Sequence, residues 1–320
     1  MHGVFPSLPP GSPRPVLLAF CVLALAACSD DSPQCRYGAE CASGACGADG
    51  RCLPATDAGR DAALDPDAAD GDAGGDASAP DDDGGAPVCS PNHDGTVTRA
   101  EVPLAAGLHA TFQIASDVPV DTAGTDEGEG RRRWDLAGAL AGDHATLVEL
   151  QPLAGTWFEG SFPGASYAAK LSDGADEIGV FEITDDALLL RGVVSPEGGL
   201  TRTELTYDPP VTVLSFPLTP GAHWSTESTV TGVTFGAVTL ATERYESSID
   251  RSGTLATPYG EFPVQRVSVL LTRTLGFLVT TLRTHLFVAE CFGTVASIVS
   301  QDNEPAVDFT DAAEVRRLAP

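Results

Sequence analysis

The sequence is poor in basic residues. Lysine occurs once, at Lys170, and lysine and arginine together number 18 against 45 aspartates and glutamates, which gives a formal net charge of −27. Proteins bind nucleic acids and anionic headgroups through clustered positive charge. We therefore expect no nucleic acid among the partners of this chain.

The sequence also lacks the common signatures of catalysis. Residues 164–168 come nearest to Gly-x-Ser-x-Gly but lack the second glycine, and His-Glu-x-x-His, P-loop and Gly-x-Gly-x-x-Gly patterns are absent. Asp143 and His144 are adjacent, and neighbours on a strand point to opposite faces. We therefore expect a protein that is not an enzyme.

Long apolar runs are scarce as well. Residues 16–27 are uncharged and apolar, but twelve residues are too few to cross a bilayer. Arg14 precedes this run and polar residues follow it, which is the order of a secretory signal. A cleaved signal is therefore predicted at residues 1–27.

The run ends in Leu25-Ala26-Ala27-Cys28, which resembles the lipobox of bacterial lipoproteins. The resemblance implies that Cys28 becomes the first mature residue and carries lipid. Two or more acyl chains hold a protein on a membrane durably. It also implies a membrane partner through the N-terminal lipid and a place in the cell envelope, at the outer membrane. The alternative is an ordinary signal followed by a chance cysteine.

Six further cysteines remain after the signal, and an even number in an exported protein predicts disulfides. Four of them lie in a module at residues 28–54 that has almost no core residues, so that two bridges would have to order it: Cys35, Cys41, Cys46 and Cys52. The module contains no Cys-x-x-Cys pair, the spacing that would favour zinc binding. The module resembles short Cys-rich repeats of predicted surface lipoproteins of myxobacterial type, and either a spacer or a recognition module fits it.

Residues 55–87 consist almost entirely of Asp, Ala, Gly and Pro, with ten aspartates against one arginine. Such a segment cannot form a core, and its like charges repel one another. We predict a disordered acidic linker here and a β-rich domain at residues 88–320.

Short runs rich in Thr and Val, separated by Gly, Pro and Asp, predict a mainly β domain. The expected architecture is an antiparallel β-sandwich or an open half-barrel. The first strand is expected in the alternation from Leu108 to Ile114, and the others at 145–150, 156–158, 178–183, 187–194, 200–207, 211–216, 224–230, 237–249, 264–275, 277–288 and 293–299.

Three features of this domain have two interpretations each. Residues 131–133, three arginines, form either a charged loop between strands or a basic spot for an anionic ligand. The three tryptophans either pack in the core or line a sugar platform. Cys89 and Cys291 either form a bridge or stay unpaired, and we predict the bridge.

The only segment with recognisable site chemistry is residues 90–101. This segment resembles an EF-hand loop, in which oxygen ligands alternate along a tight coil, Gly permits the turn and a final Glu binds bidentately. The resemblance implies weak Ca²⁺ binding, in the millimolar range of extracellular modules, with the ligands Ser90, Asn92, Asp94, Thr96, Thr98 and Glu101. Pro103 stands where the exiting helix of an EF-hand would run. The alternative is an Asn/Asp-Gly turn before the first strand.

Residues 89–320 as a whole look like a myxobacterial family of predicted lipoproteins. We expect a lipid-anchored envelope protein with a non-enzymatic binding or structural role and an unknown protein or small ligand. One alternative is a carrier that holds an apolar ligand in a curved sheet, and another is a hydrolase with an unrecognised site. A continuous apolar cavity would favour the carrier.

Overall fold

The computed structural model describes residues 89–320. The predicted signal peptide, Cys28, the Cys-rich module with Cys35, Cys41, Cys46 and Cys52, and the acidic linker lie outside the described residues. The described chain forms fourteen strands: β1 (His109–Pro119), β2 (Thr125–Gly128), β3 (Arg131–Asp135), β4 (His144–Glu149), β5 (Tyr167–Lys170), β6 (Ile178–Ile183), β7 (Ala187–Val194), β8 (Glu204–Ser215), β9 (His223–Thr234), β10 (Ala237–Ala256), β11 (Glu261–Leu275), β12 (Leu278–Ala289), β13 (Gly293–Ser300) and β14 (Asp311–Leu318).

Helical structure in residues 89–320 is limited to two short 3-10 turns, Arg99–Glu101 and Glu159–Ser161. No helix in this range has the length and apolar character needed to cross a bilayer. The domain is therefore mainly β, as the sequence predicted.

One sheet contains all the strands, in the order β4-β1-β14-β13-β12-β11-β10-β9-β8-β7-β6-β5 along its main path. Its two ends meet at an antiparallel bridge, in which the backbone amides of Gln151 and Ala168 donate to each other's carbonyl oxygens over 2.7 and 2.9 Å. The sheet is thus a nearly closed half-barrel, and of the two expected architectures this one is confirmed.

The core lies on both faces of this sheet. Along β12, Leu286 and Val288 pack into one apolar cluster, and Phe287 and Ala289 into another. Successive strand residues point to opposite faces, so the sheet separates the two clusters. The first cluster joins residues from β5 through β12, strands far apart in the sheet, and therefore fills the barrel interior. The second lies outside the barrel.

Two strand predictions and one loop interpretation are wrong. Residues 156–158 are not a strand: the Thr156 amide and hydroxyl both donate to the Leu153 carbonyl in a turn, which buries Phe158. The expected strands 200–207 and 211–216 are one strand, β8, that runs through two prolines. Residues 131–133 belong to β3 and not to a loop.

A buried charge network holds the outer cluster together. Arg266 on β11 is fully buried and forms ion pairs with Asp250 at 2.6 Å and Asp308 at 2.9 Å. Its guanidinium group also lies 5.6 Å from the ring centre of Trp134. The cation is thus paired on one side and packed against an aromatic face on the other, as a buried charge requires.

His285 lies beside this network and is also fully buried, with its ring stacked on Phe309 at 5.3 Å. Its Nε2 lies 2.9 Å from the Val307 carbonyl oxygen, which can only accept, so Nε2 carries the proton. Burial, followed by the positive charge of Arg266, lowers the pKa of His285 to about 4. The imidazole is therefore neutral at physiological pH.

Candidate functional site

The loop at residues 90–101 forms a tight coil with the chain reversal placed where the EF-hand resemblance requires it. Gly95 has φ of 82°, in the region that favours glycine, and His93 precedes it at 56°. The Asp94 amide donates to Asn92 Oδ1 over 2.9 Å, and the Thr96 amide to Asp94 Oδ1 over 2.8 Å. The side chains of Asn92 and Asp94 therefore hold the backbone of the loop in a tight coil, with both side chains on its inner side.

Four of the six predicted ligands meet at this centre. Asn92 Nδ2 donates to Glu101 Oε1 over 2.9 Å and to Asp94 Oδ2 over 3.2 Å. The amide and hydroxyl of Thr98 both donate to Glu101 Oε2, each over 2.8 Å. The side-chain NH2 group of Asn92 thus lies between the two carboxylates, where their negative charges would also attract a cation.

The other two predicted ligands lie at the edge of this group. Ser90 is exposed beside the disulfide cysteine, and Thr96 contributes its backbone amide to Asp94. Within residues 89–320, no three His, Cys, Asp or Glu side chains are close enough to hold a metal ion. A cation at this loop would therefore depend on amide, hydroxyl and carbonyl oxygens in addition to Asp94 and Glu101.

The barrel holds this loop in place, whereas two helices hold an EF-hand loop. Cys89 and Cys291 form the predicted disulfide, with their Cα atoms 5.5 Å apart. Val97 is buried and pairs with Leu218 through backbone hydrogen bonds of 3.1 and 2.8 Å. The 3-10 turn Arg99–Glu101 forms the last residues of the loop and ends before Pro103, and so no exiting helix forms.

Three contacts to the loop come from residues distant in the sequence. Gln265 donates from Nε2 to the Gly95 carbonyl oxygen over 2.8 Å. Glu290 accepts the His93 amide over 3.0 Å, and the Cys291 amide donates to the Glu101 carbonyl oxygen over 2.7 Å. These contacts hold the coil's backbone against the barrel at its start, middle and end. No local pattern could have indicated Gln265 or Glu290.

A pocket opens next to the loop at the same end of the barrel. It has a volume of about 430 Å³, within the usual range for small-molecule sites. Apolar side chains dominate its lining, among them Leu104, Phe112, Val148, Leu150, Tyr167, Leu188 and Leu214. Arg316 adds one charged group, which is paired with Glu314 at 2.6 Å.

The histidine and carboxylate groups singled out in the sequence have separate partners. Asp143 pairs with the buried Arg317, whereas His144 Nε2 lies 2.8 Å from Asp173 Oδ2. The Asp173 hydrogen bond, followed by the Gly142 carbonyl, raises the pKa of His144. The His144 hydrogen bond correspondingly lowers the pKa of Asp173. This pair joins half-exposed His144 on β4 to the connection between β5 and β6.

One of the three arginines of β3 and all three tryptophans have structural partners. Arg133 is paired with Glu261 and with Glu127. Trp134 is buried edge-on against Phe287, with ring centres 5.0 Å apart. Trp157 donates to the Ser195 carbonyl over 3.1 Å, and Trp224 to that of Thr212 over 2.9 Å. Packing is therefore the interpretation that the structure favours for the tryptophans.

Comparison with known protein families finds no family that matches this chain. No curated protein is significantly similar to it. Among solved structures, the chain is similar to a crystal structure at 2.70 Å described as a "putative lipoprotein" from Parabacteroides distasonis ATCC 8503. The TM-score is 0.32 and the identity 8%, over 67% of this chain and 95% of the other. A likeness at this level carries no argument about function.

Proposed function

We propose that this chain is a lipid-anchored protein of the cell envelope, at the outer membrane, with a non-enzymatic binding role. The Leu-Ala-Ala-Cys junction at residues 25–28 carries the proposal. The Cys89–Cys291 disulfide supports it, because disulfides persist in oxidising compartments outside the cytoplasm. The high negative charge keeps such a domain soluble beside the membrane.

Lipidation is tested at Cys28. In the wild-type chain, mass spectrometry of the N-terminal peptide is expected to show acyl chains on Cys28, and the protein is expected in the membrane fraction. Cys28→Ser should lower its recovery in the membrane fraction, because the thiol that accepts diacylglycerol is gone. Cys21→Ser is the matched control and should leave the distribution unchanged. Undiminished membrane recovery of Cys28→Ser would contradict the proposal.

We further propose that residues 90–101 bind Ca²⁺ weakly. The convergence of Asn92, Asp94, Thr98 and Glu101 supports this, because Ca²⁺ prefers such oxygen ligands on a tight coil. Rotation of the Asn92 amide would turn its oxygen toward the two carboxylates and leave their shared centre to the cation. With only two carboxylates, the expected dissociation constant is in the millimolar range.

Calorimetry of the full chain with Ca²⁺ tests this site. Wild type is expected to bind in the millimolar range, and Glu101→Gln to bind at least about tenfold more weakly, since the bidentate carboxylate is lost. Glu149→Gln on the exposed edge of β4 is the matched control and should bind as wild type does. Absence of heat from wild type at several millimolar Ca²⁺ would show that the loop is only a turn.

A second candidate function is the carrier of an apolar ligand, and the 430 Å³ pocket beside the loop supports it. The wild-type chain is expected to bind N-phenylnaphthylamine with enhanced fluorescence. Leu188→Trp should weaken binding about tenfold by filling the pocket, while Leu147→Trp, on a half-exposed side chain of β4, should not. Equal binding by both variants would place the probe elsewhere and count against a carrier.

A further inference from the structure

The end of the barrel opposite the loop exposes large apolar side chains. They lie on the β9–β10 and β11–β12 hairpins, which are neighbours in the sheet, and on the β7–β8 connection. Phe277 is 107% exposed, Leu200 95%, Val238 89% and Phe235 81%. Large apolar side chains exposed together at one end of a soluble domain mark a candidate interaction site.

The β9–β10 turn carries a phenylalanine where the backbone favours other residues. Phe235 and Gly236 form the two-residue turn between β9 and β10, and Phe235 has φ of 50°. Asn or Gly adopts this conformation readily, whereas a bulky side chain does so at a cost in free energy. Since the Phe235 ring is also exposed, the fold gains nothing from it, which indicates a role outside folding.

Both tips are free of charge in a chain in which one residue in five is charged. Residues 228–242 and 274–282 contain no Asp, Glu, Lys or Arg. Four charged residues flank these stretches, and two of them, Glu243 and Arg273, form an ion pair at 2.6 Å. The other two are Glu227 and Arg283. Within each hairpin the two strands are paired up to the turn, through Ala237 with Thr234 and Leu275 with Leu278. β10 pairs with β11 only from Thr242 onward, so the β9–β10 tip projects beyond the neighbouring hairpin. The tips thus combine uncharged side chains with hydrogen bonds inside each hairpin.

We propose that the tips of the β9–β10 and β11–β12 hairpins, together with Leu200, insert into the interface of a lipid bilayer. Protruding Phe and Leu side chains on hairpins whose two strands are paired with each other suit the interface of a bilayer. The hairpin tips carry no basic residue that would bind anionic headgroups, and the net charge of −27 opposes approach to such headgroups. Zwitterionic lipid is therefore favoured. The proposal does not depend on acylation of Cys28.

The attachment point of the preceding chain is compatible with this contact. Cys89 is fixed to Cys291, which follows the far end of β12, roughly 40 Å from the tip for a strand of this length. Residues 29–88 could reach about 200 Å if fully extended. A domain held through Cys28 can therefore turn its hairpin tips toward the membrane that carries its lipid.

Cosedimentation with phosphatidylcholine vesicles tests the proposal. The protein is the full chain with Cys28→Ser, so that no acyl chain contributes. Phe235→Asn with Phe277→Asn is expected to reduce vesicle binding by about tenfold or more, since the two rings that insert into the lipid are lost. Leu147→Asn with Val307→Asn is the matched control, because these side chains are 53% and 47% exposed elsewhere on the domain. This control should bind as the parent does.

Thermal unfolding separates binding from folding. Phe235→Asn should unfold at the same or a higher temperature than the parent, because Asn tolerates the left-handed backbone. A lower unfolding temperature with unchanged vesicle binding would give the ring a structural role and overturn the proposal. Failure of the parent to sediment with vesicles would also overturn it. So would concentration-dependent self-association that the double Asn variant abolishes, since the tips would then contact a second copy.

Discussion

Replacement of both Cys89 and Cys291 by alanine is expected to lower the free energy of unfolding by about 5 kcal/mol. The bridge closes a loop across a sequence separation of 202 residues, and in the chain-entropy model its loss frees the unfolded chain accordingly. Because whole domains are stable by only about 5–15 kcal/mol, the variant should unfold at a much lower urea concentration. The three tryptophans, all within the barrel domain, report the transition by fluorescence.

Reduction of the wild-type chain provides the control for this prediction. Wild type in reductant should unfold like the double alanine variant, whereas reductant should leave the variant's tryptophan transition unchanged. If the free energy of unfolding falls by less than about 1 kcal/mol in the variant, removal of the disulfide adds little conformational entropy to the unfolded chain. The same variant should also bind Ca²⁺ more weakly, since the start of the loop at residues 90–101 loses its covalent attachment.

Replacement of Arg266 by methionine is expected to lower the free energy of unfolding by about 3 kcal/mol. The change keeps an apolar stem against Trp134 but leaves Asp250 and Asp308 without their buried cation. Breaking a buried pair typically costs 3–5 kcal/mol. We expect the lower end, because the two aspartate side chains remain 18% and 31% exposed and water can hydrate them.

Arg244→Met on β10 is the matched control for Arg266→Met. Arg244 pairs with Glu246 at 2.9 Å, but the two side chains are 53% and 47% exposed. Such surface pairs contribute between roughly 0 and 1 kcal/mol, so urea unfolding of this variant should resemble that of wild type. Equal losses in the two variants would show that burial does not determine the effect of Arg266.

Several strands were predictable because their signals are local. β6 and β7 have the predicted bounds, since each is a short apolar run and Asp185-Asp186 marks the turn between them. β8 was predicted as two strands because Pro209 and Pro210 lack a backbone N–H. However, β9 pairs with β8 only at Glu204–Asp208, so no hydrogen bond to a neighbour is lost at the prolines.

β3 gave no usable local signal. Three consecutive arginines suggest a solvated loop, yet this segment pairs in parallel with the end of β10. The pairing depends on Gly253, where an added Cβ would lie 1.7 Å from the Arg132 carbonyl oxygen. Close approach of two distant backbones is a tertiary property, and neither segment reveals it alone.

The β character of the domain, the spacing of the loop at residues 90–101 and the bridge between Cys89 and Cys291 were all predicted without the structure. These follow from alternation, from side chains within twelve residues of one another and from the count of cysteines. The choice between sandwich and half-barrel required the folded chain, because alternating strands satisfy both architectures and the closing bridge joins Gln151 to Ala168. The fold also placed Gln265 and Glu290 on the loop and Arg266 among buried aspartates, since such partners depend on which strands become neighbours.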